Sequence, residues 1–372
     1  VLLDIETNQT FSNIALGNAL RKNQFTDKVE RAFLSRLVEG VTETKLRLDY
    51  VIDQYSKTKI KKCKPVIACL LRMGCYQILF MDSVPDSAVC NEAVKIAQRR
   101  GFYNLKGFVN GVLRNTARRL SQVKYPDENL DPLHYLSVRY SFPIWMLDKW
   151  MQQFGYETTE KICRDTHMKK GTVVRCDLQK ASKEEIIEEL KKDGASVLEH
   201  PYLDYALVLS DYNYIGALSA FKKGWITVQD ISSMLVAEAA APNWGDYCID
   251  VCAAPGGKSL HIAEKLMGSG YVEARDVSER KVALMQENIE RTEAINIRAA
   301  VWDATVRDPE SVKKADIVLA DVPCSGLGVI GKKQDIKYKM SEKRQQDIIR
   351  LQRRILSVVQ EYVRPNGVLI YS

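Results

Sequence analysis

The run Asp250-Val251-Cys252-Ala253-Ala254-Pro255-Gly256-Gly257-Lys258-Ser259 constrains this chain more than any other stretch. Tyr247 to Val251 reads as a buried strand and His261, Ile262 and Leu266 as part of a helix, so the run is a glycine turn from strand into helix. Gly256 and Gly257 let the backbone turn tightly and approach a ligand at the helix N-terminus. A Walker-type phosphate loop needs a glycine where Cys252 stands, and a dinucleotide fingerprint needs one where Leu260 stands, so both readings fail. A second strand ends at Val272-Glu273-Ala274-Arg275-Asp276 and places a carboxylate about twenty residues after the glycines, which suits a nucleoside-type cofactor. Asp276 then holds ribose hydroxyls; the alternative is that it only caps the helix beginning near Ser278.

A chain of 372 residues is long enough for two or three domains. No run of eighteen apolar residues and no charged-then-apolar leader is present, which predicts a soluble, cytoplasmic protein without membrane partners. The nine cysteines are scattered without a C-x-x-C pair or a His/Cys cluster, which argues against bound metal and against a disulfide framework. Charge is uneven. Residues 1–125 hold 21 Lys and Arg against 11 Asp and Glu, a net of +10, which leaves the rest of this +7 chain at −3. The basic residues concentrate in Lys57, Lys59, Lys61, Lys62 and Lys64, and again in Arg99, Arg100, Lys106, Arg114, Arg118 and Arg119, a pattern suited to phosphates of a polyanion.

Residues 1–125 read as an all-α domain: Pro65 opens one apolar helix, Ser87 is a candidate N-cap for the next, and Phe108, Val109, Val112 and Leu113 mark a third. The turn-rich stretch from Ser121 to Pro132 reads as a linker. A small α/β module is expected over 135–225, with strands at Thr172–Cys176, Ser196–Leu198 and Ala206–Leu209 and a capping box at Ser182 to Glu185. Its β-α-β-β order suits a small RNA-binding-like module. From 226 to 372 strands and helices alternate as in a doubly wound, Rossmann-like parallel sheet. Ile317 to Ala320 is a strand buried on both faces, and Ile348, Leu351, Ile355, Val358 and Tyr362 form a stripe expected to pack on the sheet. With Gly367 to Tyr371 as the last strand and valine as the first residue, strands beyond the C-terminus are expected to be missing and both ends read as truncated.

Ligands of open α/β sheets sit at the carboxyl ends of the strands. Asp250 to Gly257, Asp276, Asp303 and Asp321-Val322-Pro323-Cys324 all fall there and are expected to form one site. Asp303 can accept from an adenine amino group. Pro323 fixes a turn that directs Cys324 inward, where a cysteine of lowered pKa would be a thiolate.

Cys252 to Lys258, Asp276-Val277-Ser278, Asp303, Asp321 to Gly328 and the lead-in Gln229-Asp230-Ile231-Ser232-Ser233 resemble the RNA cytosine-C5 methyltransferase family, which uses S-adenosylmethionine. The basic helical domain resembles NusB, and the fusion is the arrangement of bacterial members acting on 16S rRNA. The resemblance implies cofactor contacts from Cys252, Ala253, Ala254, Pro255, Gly256, Gly257, Lys258, Asp276, Asp303 and Asp321. It also implies that a thiolate adds to cytosine C6 before C5 takes the methyl group. In that family the attacking cysteine belongs to a Thr-Cys pair directly after the strand matching Gly367 to Ser372, so the main nucleophile is expected just beyond Ser372. Cys324 would then help release the product and Asp321 would contact the cytosine ring; the competing assignment makes Cys324 itself the nucleophile, as in DNA cytosine-C5 methyltransferases with a Pro-Cys motif. Gln334 stands where the family commonly has proline, while Lys332, Lys333 and Lys337 are expected to supply phosphate-binding charge. A monomer is expected. The rival readings are a non-catalytic RNA-binding or assembly factor on the same fold, and a methyltransferase acting on protein or small molecules.

Overall fold

Residues 1–22, 27–168 and 171–372 are described by the computed structural model. They fall into two units: residues 1–168 with Ser325–Arg344, and residues 171–324 with 345–372. The first unit opens with α1 (Leu2–Thr7), α2 (Ser12–Lys22), α3 (Lys28–Glu43), α4 (Lys45–Tyr55), α5 (Pro65–Phe80), α6 (Asp86–Arg99) and α7 (Lys106–Arg118). Pro65 sits at the first position of α5, where its missing N–H costs nothing. That helix is apolar nearly all round because it is the centre of the core, touching residues such as Ile52 of α4, Ala93 of α6 and Leu113 of α7. Ser87 is not a cap. Pro85, already extended at ψ 134, ends the preceding loop, and its carbonyl accepts from Ala88 and Val89, so Ser87 lies inside α6.

Two more helices follow where the small α/β module was expected to begin. α8 (Pro132–Tyr140) is capped by Asp131, and α9 (Ile144–Thr166) is interrupted at Gly155, whose φ of 77° suits glycine. Both cluster with the first unit. The module itself starts with β1 (Thr172–Cys176) and continues through α10 (Lys183–Lys192), β2 (Ser196–Glu199), β3 (Ala206–Ser210), α11 (Ser219–Lys222) and β4 (Ile226–Val228). Ser182 and Glu185 make the capping box of α10. The sheet is antiparallel in the order β2-β3-β1-β4, the ferredoxin-like arrangement, and β4 pairs with β1 rather than opening the next domain at 226.

Next come α12 (Ile231–Ala240), β5 (Tyr247–Asp250), α13 (Gly257–Lys265), β6 (Tyr271–Asp276), α14 (Glu279–Arg291), β7 (Ile297–Val301) and β8 (Ala315–Ala320). The segment after β8, with the short α15 (Ile336–Lys339), belongs to the first unit; α16 (Glu342–Val359) and β9 (Val363–Tyr371) follow. The sheet is wholly parallel in the order β7-β6-β5-β8-β9. Cys248, Val272 and Ile317 face α12, α13 and α14, whereas Ile249, Val318 and Ala320 face α16, so the sheet is covered on both sides. Only the C-terminal half of the α16 stripe packs there: Ile355 and Val359 are buried, but Leu351 is 37% exposed.

Within the first unit, the segment that leaves the sheet is held by polar contacts. Asp335 accepts from the Ser12 backbone at 3.0 Å and its hydroxyl at 2.7 Å. Lys337 corrects the expectation of a phosphate-binding charge. Its amine is buried, donates to the carbonyls of Glu43 (3.0 Å) and Tyr140 (3.3 Å), and lies over the Phe142 ring. Burial pushes that amine down to about 7. Lys332 and Lys333 stay exposed, as do all eleven basic residues singled out between Lys57 and Arg119. Among the described residues, no helix is long and apolar enough to cross a membrane.

Candidate active site

The order of the parallel strands reverses between β5 and β8, and such a switch point opens a crevice at the strands' carboxyl ends. The loops after these two strands carry the two motifs, Asp250 to Ser259 and Asp321 to Cys324. Gly256 adopts φ 97°, a conformation L side chains rarely take, and an added Cβ would meet Met285 at 3.4 Å. Its N–H closes the turn on the Ala253 carbonyl at 2.7 Å. Beneath the turn the Asp250 carboxylate is buried, accepting from the Ser259 hydroxyl at 2.6 Å and from the Cys252 N–H at 3.3 Å. Burial pushes this carboxyl up to about 7; the charge of Asp321 acts in the same direction and the Ser259 hydrogen bond opposes it.

An open cleft lies above the strand ends. Of the expected site residues, Cys252, Ala254, Asp276, Asp303, Asp321 and Cys324 line it. Ala253 instead packs into the core beneath the sheet's end, and Pro255, Gly256 and Gly257 build the turn. Lys258 Nζ lies 2.6 Å from Asp321 Oδ2, so its charge is spent on orienting that carboxylate. Burial pushes the Cys252 thiol up to about 12, which makes it an apolar wall rather than a nucleophile. Cys324 is exposed at the mouth.

Asp276 combines both readings of the sequence. It is buried, accepts from the Ser278 N–H at 3.1 Å in a local turn, and meets Lys281 Nζ at 3.3 Å, while remaining in the wall of the cleft. Asp303 accepts from the Thr305 N–H and hydroxyl, both at 2.8 Å, and the backbone bond, then the hydroxyl bond, holds its carboxyl below the usual range. Lys281, Trp302, Thr305, Leu351 and Ile355 are wall residues that the sequence reading did not assign to the site. Trp302 precedes Asp303 directly, and its indole N–H is tied to the Val306 carbonyl at 3.0 Å. The adjacency was the available signal. A buried carboxylate at one end, an acceptor at Asp303 and the apolar surfaces of Trp302, Leu351 and Ile355 fit the ribose and adenine of a nucleoside cofactor.

Fold and cleft together define an S-adenosylmethionine-dependent methyltransferase. Residues 1–118 match the NusB family, residues 142–214 the RsmF/B-like ferredoxin-like domain, and residues 237–372 the 16S rRNA methyltransferase RsmB/F family. The probable ribosomal RNA small subunit methyltransferase B of Bacillus subtilis is 35% identical over 372 residues, all of this chain and 82% of that protein. The ribosomal RNA small subunit methyltransferase B of Proteus mirabilis is 31% identical, over 95% of this chain and 81% of its own length. This chain therefore belongs to the ribosomal RNA small subunit methyltransferase B family. Among solved structures, PH0851 superposes with a TM-score of 0.81 at 25% identity, covering 95% of this chain and 79% of that one. NSun6 from Pyrococcus horikoshii shares the fold with a TM-score of 0.56 at 24% identity, over 62% of this chain and 83% of its own.

Proposed function

We propose that this protein methylates C5 of a cytidine in 16S rRNA, acting as a cytoplasmic monomer. The observation that carries the reading is the Asp321-Val322-Pro323-Cys324 turn in the wall of the same cleft as Asp276 and Asp303. Bound S-adenosylmethionine supplies an electrophilic methyl group on its sulfonium. Asp276 would hold the ribose hydroxyls and Asp303 the adenine amino group, and the backbone of Cys252 to Lys258 would follow the cofactor through the turn. Asp321, held by Lys258, would contact the cytosine ring.

Cytosine C5 is a poor nucleophile, so a thiolate must first add to C6, which makes C5 enamine-like. C5 then takes the methyl group, a base removes the C5 proton, and elimination returns the thiolate and restores the ring. By family resemblance the attacking thiol belongs to the Thr-Cys pair after β9, and Cys324 assists the final release. The exposure of Cys324 at the cleft mouth also suits the competing role of nucleophile. Full-length enzyme carrying Cys324→Ala, incubated with 16S rRNA and labelled S-adenosylmethionine, separates the two. A helper role predicts a covalent protein–RNA adduct that survives denaturing electrophoresis. No adduct and no methyl transfer would give the attack to Cys324, and transfer to protein rather than rRNA would overturn the substrate assignment. Gel filtration at assay concentration checks the monomer.

A further inference from the structure

We infer that Arg175, in the ferredoxin-like module, is a positioning residue for the cofactor-binding turn. It lies on β1, on the face opposite the module's own core, which takes Val174 and Cys176. Its side chain is 1% exposed. Nε donates to Glu264 Oε2 at 2.8 Å and Nη2 to the other Glu264 oxygen. Nη1 donates to the Gly257 carbonyl at 2.9 Å and to Gln229 Oε1. One planar fork thus ties together the lead-in to α12, the first residue of α13 and the third turn of that helix.

The peptides at the start of α13 have N–H groups with no partner inside the helix, and these are the donors a cofactor would meet. Their direction follows the peptide plane that Arg175 grips through the Gly257 carbonyl, next to Gly256 with its left-handed φ. Burying a guanidinium is expensive, and apolar packing would glue a module on at less cost. What the fork adds is orientation. Gln229 shows the same priority: its oxygen faces Arg175 while its Nε2 is buried with no hydrogen-bond partner. The small module therefore reaches the cofactor site from behind, through one side chain that does not line the cleft.

The inference rests on the reading that this turn holds S-adenosylmethionine, and the test separates the two. Arg175→Lys keeps a positive charge beside Glu264 but cannot serve the carboxylate and the Gly257 carbonyl together. The double change Arg175→Met with Glu264→Gln removes both charges and leaves no buried ion unpaired. Calorimetry on the full chain is expected to show S-adenosylmethionine affinity falling about tenfold in both variants, with affinity for a 16S rRNA fragment changed by less than about twofold. Asp276→Ala serves as the control for the site. If Asp276→Ala loses cofactor binding while folded Arg175→Lys and the double variant keep wild-type affinity, with only a lower melting temperature, Arg175 is structural and the inference fails. If Asp276→Ala binds normally, the site reading itself fails. Should the single variant not fold, the double variant decides.

Discussion

Replacing Asp250 by asparagine should stabilise the methyltransferase sheet increasingly as pH rises. Burial lifts the Asp250 carboxyl from 3.8 to about 7 in the folded protein, against the hydrogen bond from Ser259. The folded state therefore holds this proton more tightly than the unfolded chain does. Its contribution is fully present below the unfolded value and is lost as pH climbs through the folded one. The shift of roughly three units corresponds to about 4 kcal/mol, of which about 2.7 kcal/mol falls between pH 5 and 7. Asparagine has the same shape: its oxygen can accept from the Cys252 N–H and its amide can donate to the Ser259 hydroxyl, with no charge to bury. Melting curves of both proteins from pH 5 to 8 report the difference, since about 1 kcal/mol moves the transition of a unit of this size by roughly 2–4 °C. The gap should move in favour of Asp250→Asn by about 5–10 °C over that range. A gap independent of pH would mean the carboxylate is ionised throughout, and the argument from burial would be wrong.

Asp276→Ala should abolish S-adenosylmethionine binding by calorimetry; retained affinity would return Asp276 to a purely local capping role. Lys337→Ala removes a buried stem and leaves the Glu43 and Tyr140 carbonyls without their donor, which should cost the helical unit about 2–4 kcal/mol. Urea denaturation followed by circular dichroism checks this, and a loss under about 0.5 kcal/mol, the usual size of a surface change, would contradict the buried position. Changing Lys57, Lys59, Lys61, Lys62 and Lys64 to alanine should flatten the salt dependence of rRNA binding by about 0.7–0.9 for each phosphate these lysines neutralise. An unchanged slope in filter binding would remove that cluster from the RNA interface.

The parallel sheet and its cleft were legible because their signals are local. A glycine turn between a strand and a helix, and acids at strand ends, follow from period and spacing alone, and the switch point brings Asp276, Asp303 and Asp321 into one wall. What stayed hidden depends on distant partners. Lys337 looks like any surface lysine in a basic segment, and only its hydrogen bond to Tyr140, 197 residues away, and its neighbours there make it a core residue. The same holds for Arg175, whose acceptors lie 54 to 89 positions further along. Leu351 continues a helical stripe perfectly well, yet the stripe runs past the sheet and its outer part becomes a cleft wall. The helices over 132–166 stand where the small α/β module was expected to begin, and no residue in them states which core they will join. Ser87 misled because a serine just before an apolar helix is a good cap, and here Pro85 had already stopped the loop.

The segment Ser325–Arg344 packs with the helical unit although it is encoded between β8 and α16. A gene cut anywhere between the NusB-like region and the rest would therefore not yield two self-sufficient pieces. The downstream product would carry Asp335 and Lys337 without Ser12 and Glu43, and the upstream product would expose the surface these side chains cover. Recombination could exchange the helical unit for another only if the replacement matched this inserted segment too. The two parts must then drift together, and substitutions in the first hundred and forty residues should be accompanied by substitutions around α15.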